Sequence, residues 1–570
     1  MRSNIVKSLI VAASLLATAA PVSAQGLAGN YLAGRAAAIS NDYEAASLYY
    51  TRLLVANPSD PFLLESLVLA NISLGHIDKA IPIAQRLDQI GDISSQLANM
   101  ALIGDLTERG RYDEVIARIQ DERGIGPLVD GLVLAWAALG DGDMTAAVAG
   151  FDAVAQEPGL EGFALYHKAL ALASVGDFAG AEAIYATDGA LAMQMTRRGA
   201  IAHVEILSQL DRNEDGIEII DALFGQDLDP ELRQLREDLA AGKRLPFTHV
   251  NDAKDGVAEV FYSIADALRG EADADYALLY TRTSEYLRSS HVDALLLSAE
   301  LLEELGQHEL ATRAYRLVPA DHVSFHAAEL GRAEALRRSD RVEAAVEVLE
   351  QLARTHGDLS VVHNTLGDVF RQQGEYAKAA SAYERALELM NDPSDGKWFT
   401  LYARGITQER LGDWPAAEAD FRAALELRPD QPQVLNYLGY SLVEKRIKLD
   451  EALDMIRRAE AARPDSGYIV DSLGWVLYRL GRFEEAVGHM ERAAELLPVD
   501  PVVNDHLGDV YWMVGRKTEA HFQWQRALSF ITEDSAEEAN PERIRRKLDE
   551  GLDVVLADEG AEPLQVANDG

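Results

Sequence analysis

Two histidines four positions apart, His322 and His326, have the spacing that can place two metal ligands on one helix face. No third ligand lies near them in the sequence, so surface or packing histidines are the expectation. The run Asp211-Arg212-Asn213-Glu214-Asp215-Gly216 follows the first half of a calcium-binding loop. Its twelfth position is Ala222, where a bidentate Glu is needed, which leaves a polar, Gly-ended turn between two helices as the better account. There is no Cys nucleophile, and HExxH, GxSxG and Walker-type loops are absent. No catalytic residue, metal or cofactor is assigned. What remains for chemistry is a set of aromatic, Asn, Asp and Arg side chains that would bind rather than react.

Charge narrows the partners. Lys and Arg number 53 against 93 Asp and Glu, a formal charge of −40 over 570 residues. Such a surface repels phosphate backbones and anionic headgroups, which argues against nucleic acid and against direct binding to anionic membranes. Other proteins are the expected partners; the oligomeric state is not legible. The first residues read as an export signal over 1–24. Arg2 and Lys7 precede a short apolar stretch from Leu9 to Ala20, Pro21 breaks it, and Val22-Ser23-Ala24 offers small residues for cleavage before Gln25. A periplasmic protein, associated with the outer membrane only through partners, is the expectation.

The elements that must position the binding side chains follow from self-similarity. Gly474, Gly481, Ala486 and Met490 recur as Gly508, Gly515, Ala520 and Trp524 at a period of 34 residues, with Leu-Gly, an inter-helix Gly and an Ala followed four positions later by a large side chain, and Pro498 ends the first of these units. That is the tetratricopeptide (TPR) pattern of antiparallel helix pairs, in which small residues sit where helices cross and a large one fills the space between units. The frame predicts an all-α superhelical solenoid in two segments. A degenerate N-terminal array spans 25–225, a joint 226–257, and a regular C-terminal array 258–534. A capping helix over 535–557 and a disordered acidic tail over 558–570 close the chain. The unit from Pro432 carries one extra residue in its turn, and Pro393-Ser394-Asp395-Gly396 is an insertion that shifts the frame.

In each unit the inward slots of the first helix should line a concave groove. In the C-terminal units these are Asn364, Asp368 and Arg371; Phe399, Tyr402 and Arg410; and Asn436 and Tyr440. The last two units add Tyr468, Asp471, Trp475, Tyr478 and Arg479, then Asp505, Asp509 and Trp512. Aromatic anchors beside Asn and Asp suit a peptide or protein segment. Trp475 and Tyr478 fit either the groove or the core between repeats.

Three strings carry a closer likeness: Gln431-Pro432-Gln433-Val434-Leu435-Asn436-Tyr437-Leu438-Gly439-Tyr440, Tyr468-Ile469-Val470-Asp471-Ser472-Leu473-Gly474-Trp475, and Asn504-Asp505-His506-Leu507-Gly508-Asp509. The block from about Trp398 to Phe530 resembles a proteobacterial cell-envelope TPR family. One of its members is a lipoprotein adaptor that presents peptidoglycan hydrolases to a carboxyl-terminal processing protease. The resemblance implies a scaffold that holds a protease and its substrates. The present chain has Ala24-Gln25-Gly26 and no lipidated Cys, so an adaptor of this kind would act without a lipid anchor. A structural scaffold of an envelope or polysaccharide-export assembly, with no protease partner, is the alternative.

Overall fold

Local chemistry starts many of the helices. Asp60 accepts a hydrogen bond from the Leu63 N–H ahead of Pro61, and Asp500 accepts from the N–H groups of Val502 and Val503 ahead of Pro501. A side-chain acceptor followed by a Pro that needs no N–H partner is the chemistry of a helix N-terminus. In a computed structural model, which describes residues 26–90, 94–187, 196–225, 228–390, 396–532 and 535–560, every regular element among the described residues is a helix. The expected export signal lies outside the described residues, as do most of the 393–396 insertion and residues 561–570 of the acidic tail.

The helices form consecutive antiparallel pairs. Gly481 stands between Gly467–Arg479 and Phe483–Leu496 with φ 73°, a conformation glycine adopts without a Cβ penalty. The crossings require small residues. A Cβ at Gly34, Gly367, Gly405, Gly474 or Gly508 would come within 3.0 Å of Tyr50, Tyr383, Phe421, Met490 or Trp524, each sixteen positions on. At Gly439 the facing side chain is Ile456, seventeen on. The extra residue is taken up in the turn, where Arg446 and Lys448 adopt left-handed φ of 55° and 50°.

Packing divides the chain into two units, residues 1–355 and 356–570, and not at the 226–257 joint. The helix after that joint, Ala253–Leu268, packs against Gln96–Glu108, Pro127–Gly140 and Glu161–Ser174. The following helix, Ala274–Leu287, packs against Pro61–Ser73 and Gln96–Glu108. Both helices carry buried residues over most of their surface, as central helices do. The loop that leads into them is itself fastened. Gln209 donates to the Leu245 carbonyl, and Glu205 accepts from Thr248 N and Oγ1 at 2.9 and 2.7 Å. One apolar core therefore runs from Tyr43 to Ala335 in the first unit. In the second unit a separate core runs from Leu401 to Leu552.

A tight contact in the first unit depends on a missing side chain. A Cβ on Gly256 would fall inside the fully buried Trp136 ring, whose Nε1 donates to His167 Nδ1 at 3.1 Å. Gly256→Ala is expected to destabilise the first unit by about 1–3 kcal/mol, read as earlier hydrogen exchange in Ala253–Leu268. An unchanged exchange profile would mean the ring moves aside freely.

The C-terminal closure differs from a single helix over 535–557. It comprises Ala536–Ala539, Pro541–Glu550 and Leu552–Asp558, broken at Gly551 with φ 90°. Ile544 and Leu552 are fully buried, and Leu548 is packed beside them.

Candidate protein-binding surface

The residues assigned to the groove of the second unit separate into an open set and an interior set. On Lys397–Arg410, Phe399 is 46% exposed, Tyr402 half-buried and Arg410 exposed. Phe399, Tyr402 and Tyr437 form a chain of ring contacts with centroids 6.5 and 5.9 Å apart. On the next first-helices, Tyr440 is half-buried and Tyr468 is 62% exposed. Asn436 is half-buried, and its Oδ1 is shielded from solvent and makes no hydrogen bond. Asn364 accepts from Thr400 Oγ1 at 3.0 Å. Asp368 accepts from the Tyr383 hydroxyl at 2.8 Å and pairs with Arg371 at 3.5 Å, so these three mainly tie helices together.

The interior set lies toward the C-terminal end. Trp475 is 8% and Tyr478 2% exposed. Trp475 stacks on His506 with centroids 3.9 Å apart and on Tyr478 at 4.7 Å, and its Nε1 donates to Glu444 at 2.8 Å. Of the two places open to them in the sequence, both take the core. Arg479 approaches Glu444 at 3.6 Å. Asp471 is buried against His506 Nδ1 at 3.0 Å. Asp505 and Asp509 receive the Nζ of Lys547, a fully buried lysine on Pro541–Glu550, at 2.7 and 2.6 Å. Trp512 is half-buried beside Trp524. Asp471, Asp505 and Asp509, expected to line the open groove, are instead buried, like Trp475 and Tyr478. The residues that cover the last two aspartates come from beyond the repeat frame, where no periodicity points to them.

Burial alone would hold His506 neutral, but Asp471, with Asp505 and Asp509 behind it, outweighs that and raises its pKa above the ordinary value. Its contribution to stability is present below the unfolded value of about 6.5 and is lost as pH rises through the higher folded value. A His506→Asn variant is expected to lose more stability relative to the parent at pH 5.5 than at pH 8.5 in urea titrations. An equal loss at both pH values would count against the pairing.

The first unit holds polar residues that spacing did not single out. Fully buried Glu259 binds both Nε and Nη2 of Arg198 at 2.7 Å, accepts from the Tyr166 hydroxyl at 2.8 Å, and faces His291 Nε2 at 3.1 Å. Arg198 also pairs with Asp293. His291 Nδ1 accepts from the Ala294 N–H, which leaves Nε2 as the donor to Glu259. These groups come from helices 61 and 93 residues apart in sequence, so no local pattern could have revealed them.

The two histidines i, i+4 make other bonds. His322 Nδ1 accepts from the Ser324 N–H and His326 Nδ1 lies 2.9 Å from the Val323 carbonyl. In the 211–216 run the turn is made by Asp211, with φ 61°, and Gly216 lies inside the helix Asn213–Phe224, buried near Leu239. The Gly-ended turn is corrected accordingly.

Tetratricopeptide-repeat family models match residues 325–392, 402–467 and 445–501. The chain carries tetratricopeptide repeats. A TPR repeat-containing protein of Pseudomonas aeruginosa is 28% identical over 159 residues, which are 28% of this chain. The match spans 26% of that relative's length. Among solved structures, the Cut9–Hcn1 hetero-tetramer of APC/C aligns over 90% of this chain and 95% of its own, at 14% identity and a TM-score of 0.36. A tetratricopeptide repeat protein from Parabacteroides merdae aligns over 45% and 98%, at 16% identity and a TM-score of 0.37. MamA from AMB-1 aligns over 31% and 98%, at 23% identity and a TM-score of 0.26. The fold is an all-α TPR solenoid of antiparallel helix pairs, an architecture that serves as a protein-interaction scaffold and is typically non-catalytic.

Proposed function

We propose that this TPR protein is exported to the periplasm and works as an adaptor, holding envelope proteins such as peptidoglycan hydrolases for a carboxyl-terminal processing protease. The reading rests on the likeness of the 398–530 block to the envelope adaptor family. The observation that carries its binding surface is the exposure of Phe399 and Tyr468, with half-buried Tyr402, Tyr440 and the unpartnered Asn436 Oδ1 on first helices of the same unit. Exposed aromatics are rigid anchors with a large apolar area, and an amide oxygen shielded from water gains by meeting a backbone N–H.

Immobilised mature protein incubated with envelope extract is expected to retain a processing protease. The double variant Phe399→Ala/Tyr468→Ala should weaken capture of the substrate proteins about tenfold or more while leaving helical content unchanged. Recovery of partners with no protease among them would sink the adaptor role and leave the structural scaffold.

A further inference from the structure

A cavity of about 930 Å³ lies within the first unit, between Arg197–Gln209, Pro230–Ala240 and Ala253–Leu268, with residues 322–324 on one rim. Its size falls in the range of ligand-binding clefts. The walls combine apolar and aromatic surface from Phe163, Leu235, Pro246 and Tyr262 with ten acidic and arginine side chains. Which of those charges are already engaged decides what the cavity can take.

The arginines are engaged. Arg197 pairs with Asp229 and Glu231 at 2.6 and 2.5 Å, and Arg198 with Glu259 and Asp293. Arg269 pairs with Glu300 at 2.5 Å, and Arg288 donates to the carbonyls of Thr248 and His249. Five of the six lining carboxylates are engaged as well: Glu231, Glu259 and Asp293 by those arginines, Glu205 by Thr248 and His249, and Asp238 by Lys243. Asp266, an exposed carboxylate on the cavity lining, is the exception, with no ion pair and no side-chain hydrogen bond among the described residues. Partial burial, together with Asp293 and Glu259 nearby, raises its pKa despite Arg269. An anion would have to break an existing pair, whereas a cation meets a carboxylate with none.

We propose that this cavity binds a lysine- or arginine-bearing segment of another protein, with Asp266 receiving the cation and Phe163, Leu235 and Pro246 covering the aliphatic stem. Long basic side chains have this division between an apolar stem and a charged tip. The strongly acidic chain adds a long-range attraction for such a segment. The site is in the first unit and is independent of the aromatic run in the second.

The test uses the mature full chain and a fluorescein-labelled peptide of alternating lysine and leucine with blocked ends, in about 150 mM salt to screen general attraction. Asp266→Asn is expected to weaken binding about tenfold, the size of a charged hydrogen bond, with the melting temperature unchanged. Asp465→Asn, an exposed acid of the second unit, should leave binding as it was. Ala267→Trp, which fills the cavity, should abolish binding without relying on charge. Equal weakening by Asp266→Asn and Asp465→Asn would overturn the proposal, as would equal affinity for a glutamate–leucine peptide. Displacement by spermidine as effective as by the unlabelled peptide would do the same, assigning the cavity to a free amine rather than a protein segment.

Discussion

Lys547→Ala is expected to destabilise the second unit by about 3–5 kcal/mol, because it strands two carboxylates that the fold has already taken out of water. Lys547 is 0% exposed, and its Nζ lies 2.7 Å from Asp505 and 2.6 Å from Asp509. Arg543, on the same helix, reaches Asp509 only at 3.7 Å and cannot replace it at Asp505. The loss should appear first as hydrogen exchange in Pro541–Glu550 and Pro501–Met513, since these two helices share the pair. Replacing the whole set, Lys547→Met with Asp505→Asn and Asp509→Asn, should recover much of the loss, because no isolated charge then remains buried. If Lys547→Ala exchanges like the parent, the buried pair does not hold the closing helix. If the triple variant is no better than the single one, the cost lies in packing around Trp524 rather than in the charges.

The second large effect is expected at Glu259. Glu259→Gln keeps the volume but replaces a carboxylate oxygen with an amide N–H₂, so donors face donors at Arg198 or His291. A cost of about 3–5 kcal/mol follows, as for any buried ion pair that loses one partner. Burial disfavours the Glu259 carboxylate, but Arg198 and His291 outweigh it and hold its pKa well below the ordinary range. The stability it contributes is therefore full above the unfolded value of about 4.3 and is lost as pH falls through the lower folded value. The gap between parent and Glu259→Gln should narrow below about pH 4, when measured by hydrogen exchange of Ala253–Leu268. A gap that stays constant with pH would show that the carboxylate charge is not what the site uses. His167 adds to the same trend: Trp136 donates to its Nδ1 at 3.1 Å and burial lowers its pKa to about 4. The neutral ring's contribution is complete above about pH 6.5 and declines as pH falls toward 4.

Much of the architecture follows from periodicity because each helix pair solves the same local problem. Small residues recur where two backbones cross, a bulky side chain sits sixteen positions later, and a glycine makes the turn. These are short-range demands, and each leaves a residue type at a fixed spacing. The one-residue excess near Lys448 was legible for the same reason, and the Gly439–Ile456 contact with the left-handed Arg446 and Lys448 is its structural form.

What covers the inward faces of the helices is a different kind of question. Ala253–Leu268 and Ala274–Leu287 read as the opening of a C-terminal array, yet they pack against first-helices from much earlier in the chain. Asp505 and Asp509 read as groove, yet Lys547 from 42 and 38 residues later covers them. Repeat spacing says which side of a helix a residue occupies. It carries no information about which distant segment meets that side, since such contacts have no fixed separation. The sequence by itself determined the helix pairs and the turns between them. Only the tertiary structure decided that Tyr468 and Phe399 stay open while Trp475 and Tyr478 do not, and that Asp266 lines a cavity with no ion-pair partner among the described residues.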